Sequence, residues 1–205
     1  TAATPEWIHF GAGNIFRGFI ASLNQRLLEA GLVQTGIIAA DTFDYDIIDR
    51  IYSDFDNLTL NVTLNPDGTT TREVLASVAE ALKADFSNAE ASARFREIFR
   101  APSLRMVSFT ITEKGYQLRR TDGALLPVVE EDEKAGPQAP KHVMSIVCAL
   151  LLERFKAGGA PIAVVSMDNC SHNGEKLMSA VLEIARAWEA NGFVSSDFIA
   201  YLTDD

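Results

Sequence analysis

The sequence predicts an α/β fold: a doubly wound, mostly parallel sheet with helices on both faces, plus a small β-hairpin insertion. Three observations predict it. A short β-prone segment, residues 7–10, runs straight into glycines and is followed by residues at helical spacing. A small-and-apolar run over 36–40 then ends on Asp41, as strands covered on both faces do. The same alternation of apolar helix and apolar strand returns after Pro140.

In chain order, residues 7–10 form the first strand. From 14 to 30 the apolar residues fall at Ile15, Phe16, Phe19, Ile20, Leu23, Leu27 and Leu28, which predicts a helix with one buried stripe. Gly31 is placed to cap it. The run ending at Asp41 is the second strand, so strand, helix and strand make a βαβ unit. Residues 45–52 read as a short helix. Leu58, Leu60, Val62 and Leu64 alternate with polar partners, and Asp67-Gly68 is a turn, so 69–74 returns as the second strand of a hairpin. A helix over 89–100 stops before Pro102, and 106–112 reads as a strand. The acidic run at 130–133 reads as a solvated loop. A strongly apolar helix over 140–156, a buried strand over 162–166 and a helix over 175–190 complete the pattern.

Composition narrows the function classes. The net charge of −10 argues against a broad nucleic-acid footprint, which needs clustered Lys and Arg. No apolar run approaches the ~20 residues of a membrane span. Neither a secretion signal nor a metal-type spacing of His and Cys is visible. The two cysteines, Cys148 and Cys170, sit in apolar stretches and read as reduced, buried thiols, which suits the cytoplasm.

The strongest chemical signal is Gly11-Ala12-Gly13-Asn14-Ile15-Phe16-Arg17-Gly18. Gly11 permits a tight turn, and Gly13 has no side chain to block a pyrophosphate. The helix start offers free N–H groups and a positive dipole end to phosphates. The standard pattern has its third glycine where Phe16 stands, so this is a variant of the Rossmann-type fingerprint. Arg17 adds a cation within reach of a phosphate. A glycine turn that only packs a strand on a helix satisfies the same pattern.

Asp41 adds a second requirement of the same site. It lies about 20 residues past the glycines, at the carboxyl end of the second strand. There a carboxylate accepts both ribose hydroxyls of an adenosine and repels a 2′-phosphate, which predicts NAD over NADP. A cap or turn role for Asp41 is the alternative. The cofactor-binding candidates are therefore Gly11, Gly13, Asn14, Ile15, Phe16, Arg17 and Asp41.

Two later segments follow apolar strands, where ligands of open α/β sheets bind. In Thr110-Ile111-Thr112-Glu113-Lys114-Gly115-Tyr116, Glu113 is a carboxylate able to relay a proton. In Ser166-Met167-Asp168-Asn169-Cys170-Ser171-His172-Asn173-Gly174, Asn169 and Asn173 carry amide donors suited to an alkoxide or carbonyl oxygen. Both segments also read as plain turns. His9 reads as a strand residue, and His172 suits a substrate contact or a helix entry equally.

Together these segments resemble the mannitol dehydrogenase family, the long-chain polyol and aldonate dehydrogenases. His9-Phe10-Gly11-Ala12-Gly13-Asn14-Ile15 with Arg17-Gly18-Phe19 looks like the family's opening. Thr112-Glu113-Lys114-Gly115-Tyr116, and Asp168-Asn169 with His172-Asn173-Gly174, look like its later landmarks. The resemblance implies that residues 1–205 are an NAD-binding Rossmann domain. It further implies that a C-terminal helical substrate domain, with a catalytic lysine in a Lys-x4-Asn-x2-His pattern, is absent from this chain. It assigns Asn169 to oxyanion stabilisation, with Asn173 as the fallback, and Glu113 to a proton path.

The implied activity is hydride transfer between nicotinamide and a secondary alcohol or ketone of an open-chain sugar alcohol or aldonate. Mannitol, mannonate, altronate and a phosphorylated hexitol all remain open as substrates, and so does the oligomeric state. A non-catalytic NAD(H)-binding regulatory module and an S-adenosylmethionine-dependent methyltransferase are the readings from other classes.

Overall fold

A computed structural model describes residues 4–204. The chain divides into two compact units, one of residues 1–83 and 103–110, the other of 84–102 and 111–205.

In the first unit, β1 (Trp7–Phe10) ends in the glycine turn. A π-helical turn, Phe16–Ile20, leads into α1 (Ala21–Glu29). Strand β2 (Ile37–Asp41) follows, buried along Ile37–Ala40 as its apolar run predicts. Next come a single helical turn, α2 (Tyr45–Ile47), and a second π-helical turn, Ile48–Tyr52. Then come the hairpin strands β3 (Thr59–Leu64) and β4 (Thr70–Leu75), then β5 (Val78–Lys83) and β6 (Met106–Phe109). Strands β5, β2, β1 and β6 lie side by side in that order, every pair parallel. Ile8 faces Ile38 on one side and Val107 on the other. The core beneath the glycine turn joins Phe16, Ile20, Ile37, Ala39, Ile48 and Tyr52.

The hairpin is antiparallel, with Leu60 opposite Val74, as the alternation predicts. Strand β5, in contrast, carries no clear signal in the sequence. The expected buried stripe of the first helix is half wrong. Phe16 and Ile20 are buried, but Ile15, Phe19, Leu23 and Leu27 are exposed, Ile15 by 67% and Phe19 by 62%. The cause is the π turn, in which the Ala21 N–H donates to the Phe16 carbonyl five residues back. This extra residue rotates the helix face that follows, so the small Ala21, Ser22 and Asn24 pack inward instead.

The second unit is mainly helical. Helix α3 (Ala89–Arg100) is capped by Asn88, whose side chain accepts the N–H groups of Glu90 and Ala91, both at 3.0 Å. A short turn, α4 (Thr112–Gly115), stands where the sequence predicts the end of a strand, so β6 is shorter than expected. The acidic run expected as a loop forms α5 (Pro127–Ala135), started by a proline at its first position. One of its carboxylates is not solvated: buried Asp132 accepts the N–H groups of Lys141 and His142, the latter at 2.8 Å.

Helix α6 (Val143–Lys156) is almost wholly buried and packs against α3 and against α7 (Asn173–Ala190). Glu153 of α6 pairs with Arg96 at 2.9 Å and with Arg100 of α3. Strand β7 (Ala163–Ser166) and helix α8 (Ser196–Thr203) complete the unit. Both cysteine thiols are free, Cys148 buried and Cys170 only half-buried. Among the described residues no helix is long and apolar enough to cross a membrane.

Candidate functional site

The glycine turn is built by the first unit alone. Gly11 has φ +110°, a region that disfavours side chains, and its N–H donates to the Ala40 carbonyl at 2.8 Å. A Cβ there would lie 2.2 Å from the Thr110 carbonyl oxygen, so the fold itself demands glycine. Gly13 is different. Its Cβ would meet nothing within 4 Å, so packing does not explain it. The space over Gly13 is open, as the approach of a diphosphate requires.

Asp41 closes the other side of the turn. Its Oδ2 accepts the Ala12 N–H at 3.1 Å, and its Oδ1 accepts the N–H groups of Phe43 and Asp44, each at 2.9 Å. The carboxylate therefore faces the glycine turn and is fixed there by three backbone donors. A carboxylate offers about four acceptor positions, so one remains, on Oδ2.

Tyr52, which nothing in the sequence singles out, completes the frame. Its buried hydroxyl donates to the Ala12 carbonyl at 2.8 Å. Ala12 is thus pinned at both its N–H and its C=O. Burial raises the Tyr52 pKa, Arg17 nearby opposes that and Asp41 adds to it, so the hydroxyl stays protonated as a donor.

The remaining candidates on this turn differ in availability. Asn14 and Ile15 are exposed at the helix start. Phe16 is wholly buried, its ring stacked on His9 at 4.6 Å, so only its backbone amide is left for a ligand. Arg17 donates from its guanidinium to Asn14 Oδ1. Its Nε is buried with no acceptor among the described residues, and a buried unpaired donor of this kind suits a phosphate.

His9 is buried between two hydroxyls, its Nδ1 2.7 Å from Ser108 Oγ and its Nε2 2.8 Å from Thr110 Oγ1. Burial pulls its pKa from 6.5 down to about 3. The unfolded chain therefore binds the proton first as pH falls, and stability drains away below about 6.5. By pH 5 the loss from this one group should reach about 2 kcal/mol. His9→Gln should flatten the fall in urea midpoint between pH 7 and 5, and equal slopes for both proteins would refute the assignment.

The second cluster lies within the second unit, around Asp168. Its carboxylate accepts the N–H groups of Ile111 and Thr112 at 3.0 and 2.9 Å, and the Tyr116 hydroxyl at 2.5 Å. Burial, then the bond to Asp168, pushes the Tyr116 pKa up. Thr112 and His172 both adopt left-handed backbone, φ +64° and +56°, which is strained for such residues. Asn173 spends its amide on the Ser166 and Asp168 carbonyls, the latter at 2.9 Å. Exposed Asn169 makes no side-chain bond to the described residues, so its donors are available. Glu113 pairs with Lys176, and the two help line a cavity of about 320 Å³ with Tyr116 and Glu183.

The model of the mannitol dehydrogenase Rossmann domain matches residues 5–204. The chain belongs to the mannitol dehydrogenase family. It is 52% identical to the D-mannonate oxidoreductase of Thermotoga maritima over all of its own length and 38% of that protein. It is 31% identical to the polyol:NADP oxidoreductase of Gluconobacter oxydans, over 89% of this chain and 38% of that one. Among solved structures, the mannitol 2-dehydrogenase of Pseudomonas fluorescens, in a ternary complex with NAD and D-mannitol, superposes with a TM-score of 0.79. That match has 28% identity and covers 98% of this chain and 40% of the other. The chain thus spans about two fifths of the family members it matches, and within that span the fold is the family's Rossmann fold.

Proposed function

We propose that this chain is the NAD-binding part of an oxidoreductase acting between nicotinamide and a secondary alcohol or ketone of an open-chain sugar alcohol or aldonate. Mannonate–fructuronate and mannitol chemistry are the favoured types, in keeping with the names of the relatives. The observation that carries the reading is the Asp41 carboxylate turned onto the glycine turn, beside open space over Gly13.

The residues fit the cofactor. Backbone amides at Gly13, Asn14 and Ile15, with the dipole of the helix they open, hold the diphosphate. Arg17 supplies charge to it. Asp41 accepts a ribose hydroxyl, and with Asp44 three residues on it disfavours a 2′-phosphate. When bound, the nicotinamide supplies hydride transfer. Asn169 is assigned to hold the substrate oxygen by an amide N–H, with Asn173 as fallback, and Glu113 to pass the proton toward solvent. The acid/base lysine is assigned to a helical substrate domain outside these 205 residues. The free thiols are in keeping with a cytoplasmic enzyme, and the net charge of −10 speaks against a nucleic-acid partner.

The glycines provide the test. Gly13→Ala should leave the unfolding midpoint within about 0.5 kcal/mol of the parent's stability yet weaken NADH binding about fivefold, roughly 1 kcal/mol. NADH titration by fluorescence, with S-adenosylmethionine as competitor, reads this out. An unmoved NADH affinity, or displacement by S-adenosylmethionine, would overturn the proposal.

A further inference from the structure

Phe43 is the most exposed large hydrophobic side chain of the described residues, at 94%. An aromatic ring gains nothing from water, and its burial against a partner would be favourable. Its backbone is nonetheless held. The Phe43 N–H donates to Asp41 Oδ1 at 2.9 Å, and the next N–H, of Asp44, does the same. The ring is therefore mounted on the carboxylate that faces the glycine turn. Thr42 and Asp44 flank it, and neither offers an aromatic face. The other strongly exposed rings stand apart from that carboxylate in the sequence: Phe19 lies beyond the turn on the helix, and Phe55 ends a 3-10 turn.

We propose that Phe43 stacks on the adenine of the bound dinucleotide. The role rests on the NAD-binding reading and adds a base-recognising group to it. Asp41 and Phe43 then act as one unit on a shared backbone anchor, the first for the ribose and the second for the base. Because the same hydrogen bonds fix the Asp41 carboxylate and the Phe43 backbone before any ligand arrives, only the ring's rotamer is left to order on binding. Stacking needs only a π-face, so the unit holds the base without a dedicated hydrogen bond to it and does not by itself select adenine.

The test uses the 205-residue chain, titrated by calorimetry with NADH and separately with AMP. Phe43→Ala should weaken both by about 5- to 150-fold, the range of base–aromatic stacking, while melting with the parent because the ring is exposed. Phe43→Trp should keep both affinities within about threefold, and its added tryptophan emission should be quenched by AMP. Equal binding by Phe43→Ala and the parent overturns the stacking role alone, as does a loss confined to NADH with AMP unaffected. A parent chain that binds neither ligand overturns the cofactor reading together with this one.

Discussion

Asp41→Ala is expected to weaken NADH binding by about 10- to 100-fold and NADPH binding by distinctly less. One hydrogen bond to a charged acceptor contributes about 1.5–3 kcal/mol, and Asp41 has one acceptor position left after Ala12, Phe43 and Asp44 have taken theirs. The same carboxylate shapes the turn, so alanine also frees three backbone donors. Asp41→Asn separates the two effects. It keeps one carbonyl oxygen for the backbone donors and removes the negative charge. The NADPH-to-NADH affinity ratio should therefore rise in Asp41→Asn, because Asp41's share of the repulsion of the 2′-phosphate is gone. Paired calorimetric titrations measure it. A ratio unchanged in both variants would mean that Asp41 serves the turn and not the ribose.

Local rules carried the sequence reading where one segment decides its own structure. The run Ile37–Ala40 is small and apolar because the strand is covered on both faces, and such a run admits no other reading in this context. The hairpin is equally legible, because β3 alternates and Asp67-Gly68 turns the chain. The glycine turn is legible too, and the sequence reading already gives its two glycines different duties. The structure shows how they differ: Gly11 answers to a clash with its own fold, whereas a Cβ at Gly13 would meet nothing within 4 Å.

What stayed hidden depends on partners far away in the sequence. Tyr52 reaches back to Ala12, and Asp168 reaches back to Ile111, Thr112 and Tyr116. No spacing rule announces such bonds. Asp168 lies beside Asn169, so the sequence draws attention to this loop while the loop's organising residue goes unassigned. The exposed side of the first helix escaped for a different reason. Periodicity assumes regular α geometry, and the π turn at Phe16–Ile20 breaks that assumption at the site itself. The same shift explains the variant fingerprint, for Phe16 goes into the core against His9 where the standard pattern places a glycine.

Arg154→Met should be the most destabilising single change within the second unit. Arg154 is only 1% exposed. Its Nε donates to the Ala160 carbonyl at 2.7 Å, one terminal nitrogen to those of Phe99 and Ala101, both at 3.0 Å, and the other to that of Pro161 at 3.0 Å. A planar fork of donors thus ties the end of α3 to the loop that precedes β7. Burial lowers the pKa of this guanidinium and Tyr201 opposes that, while the four carbonyl oxygens named are acceptors that a cation satisfies well. Methionine fills the volume and supplies no donor, so buried carbonyls are left unpaired at about 1–3 kcal/mol for each that water cannot reach. Allowing for relaxation, the loss should be on the order of 3–5 kcal/mol, or roughly 10 °C in melting temperature for a chain of this size. Arg154→Lys should fall between, because one ammonium cannot span carbonyls that the fork reaches from three nitrogens. Thermal and urea unfolding of the three proteins decide the matter. Melting of Arg154→Met within about 2 °C of the parent would show that these carbonyls find water, and that hydrophobic packing of α6 alone holds the unit together.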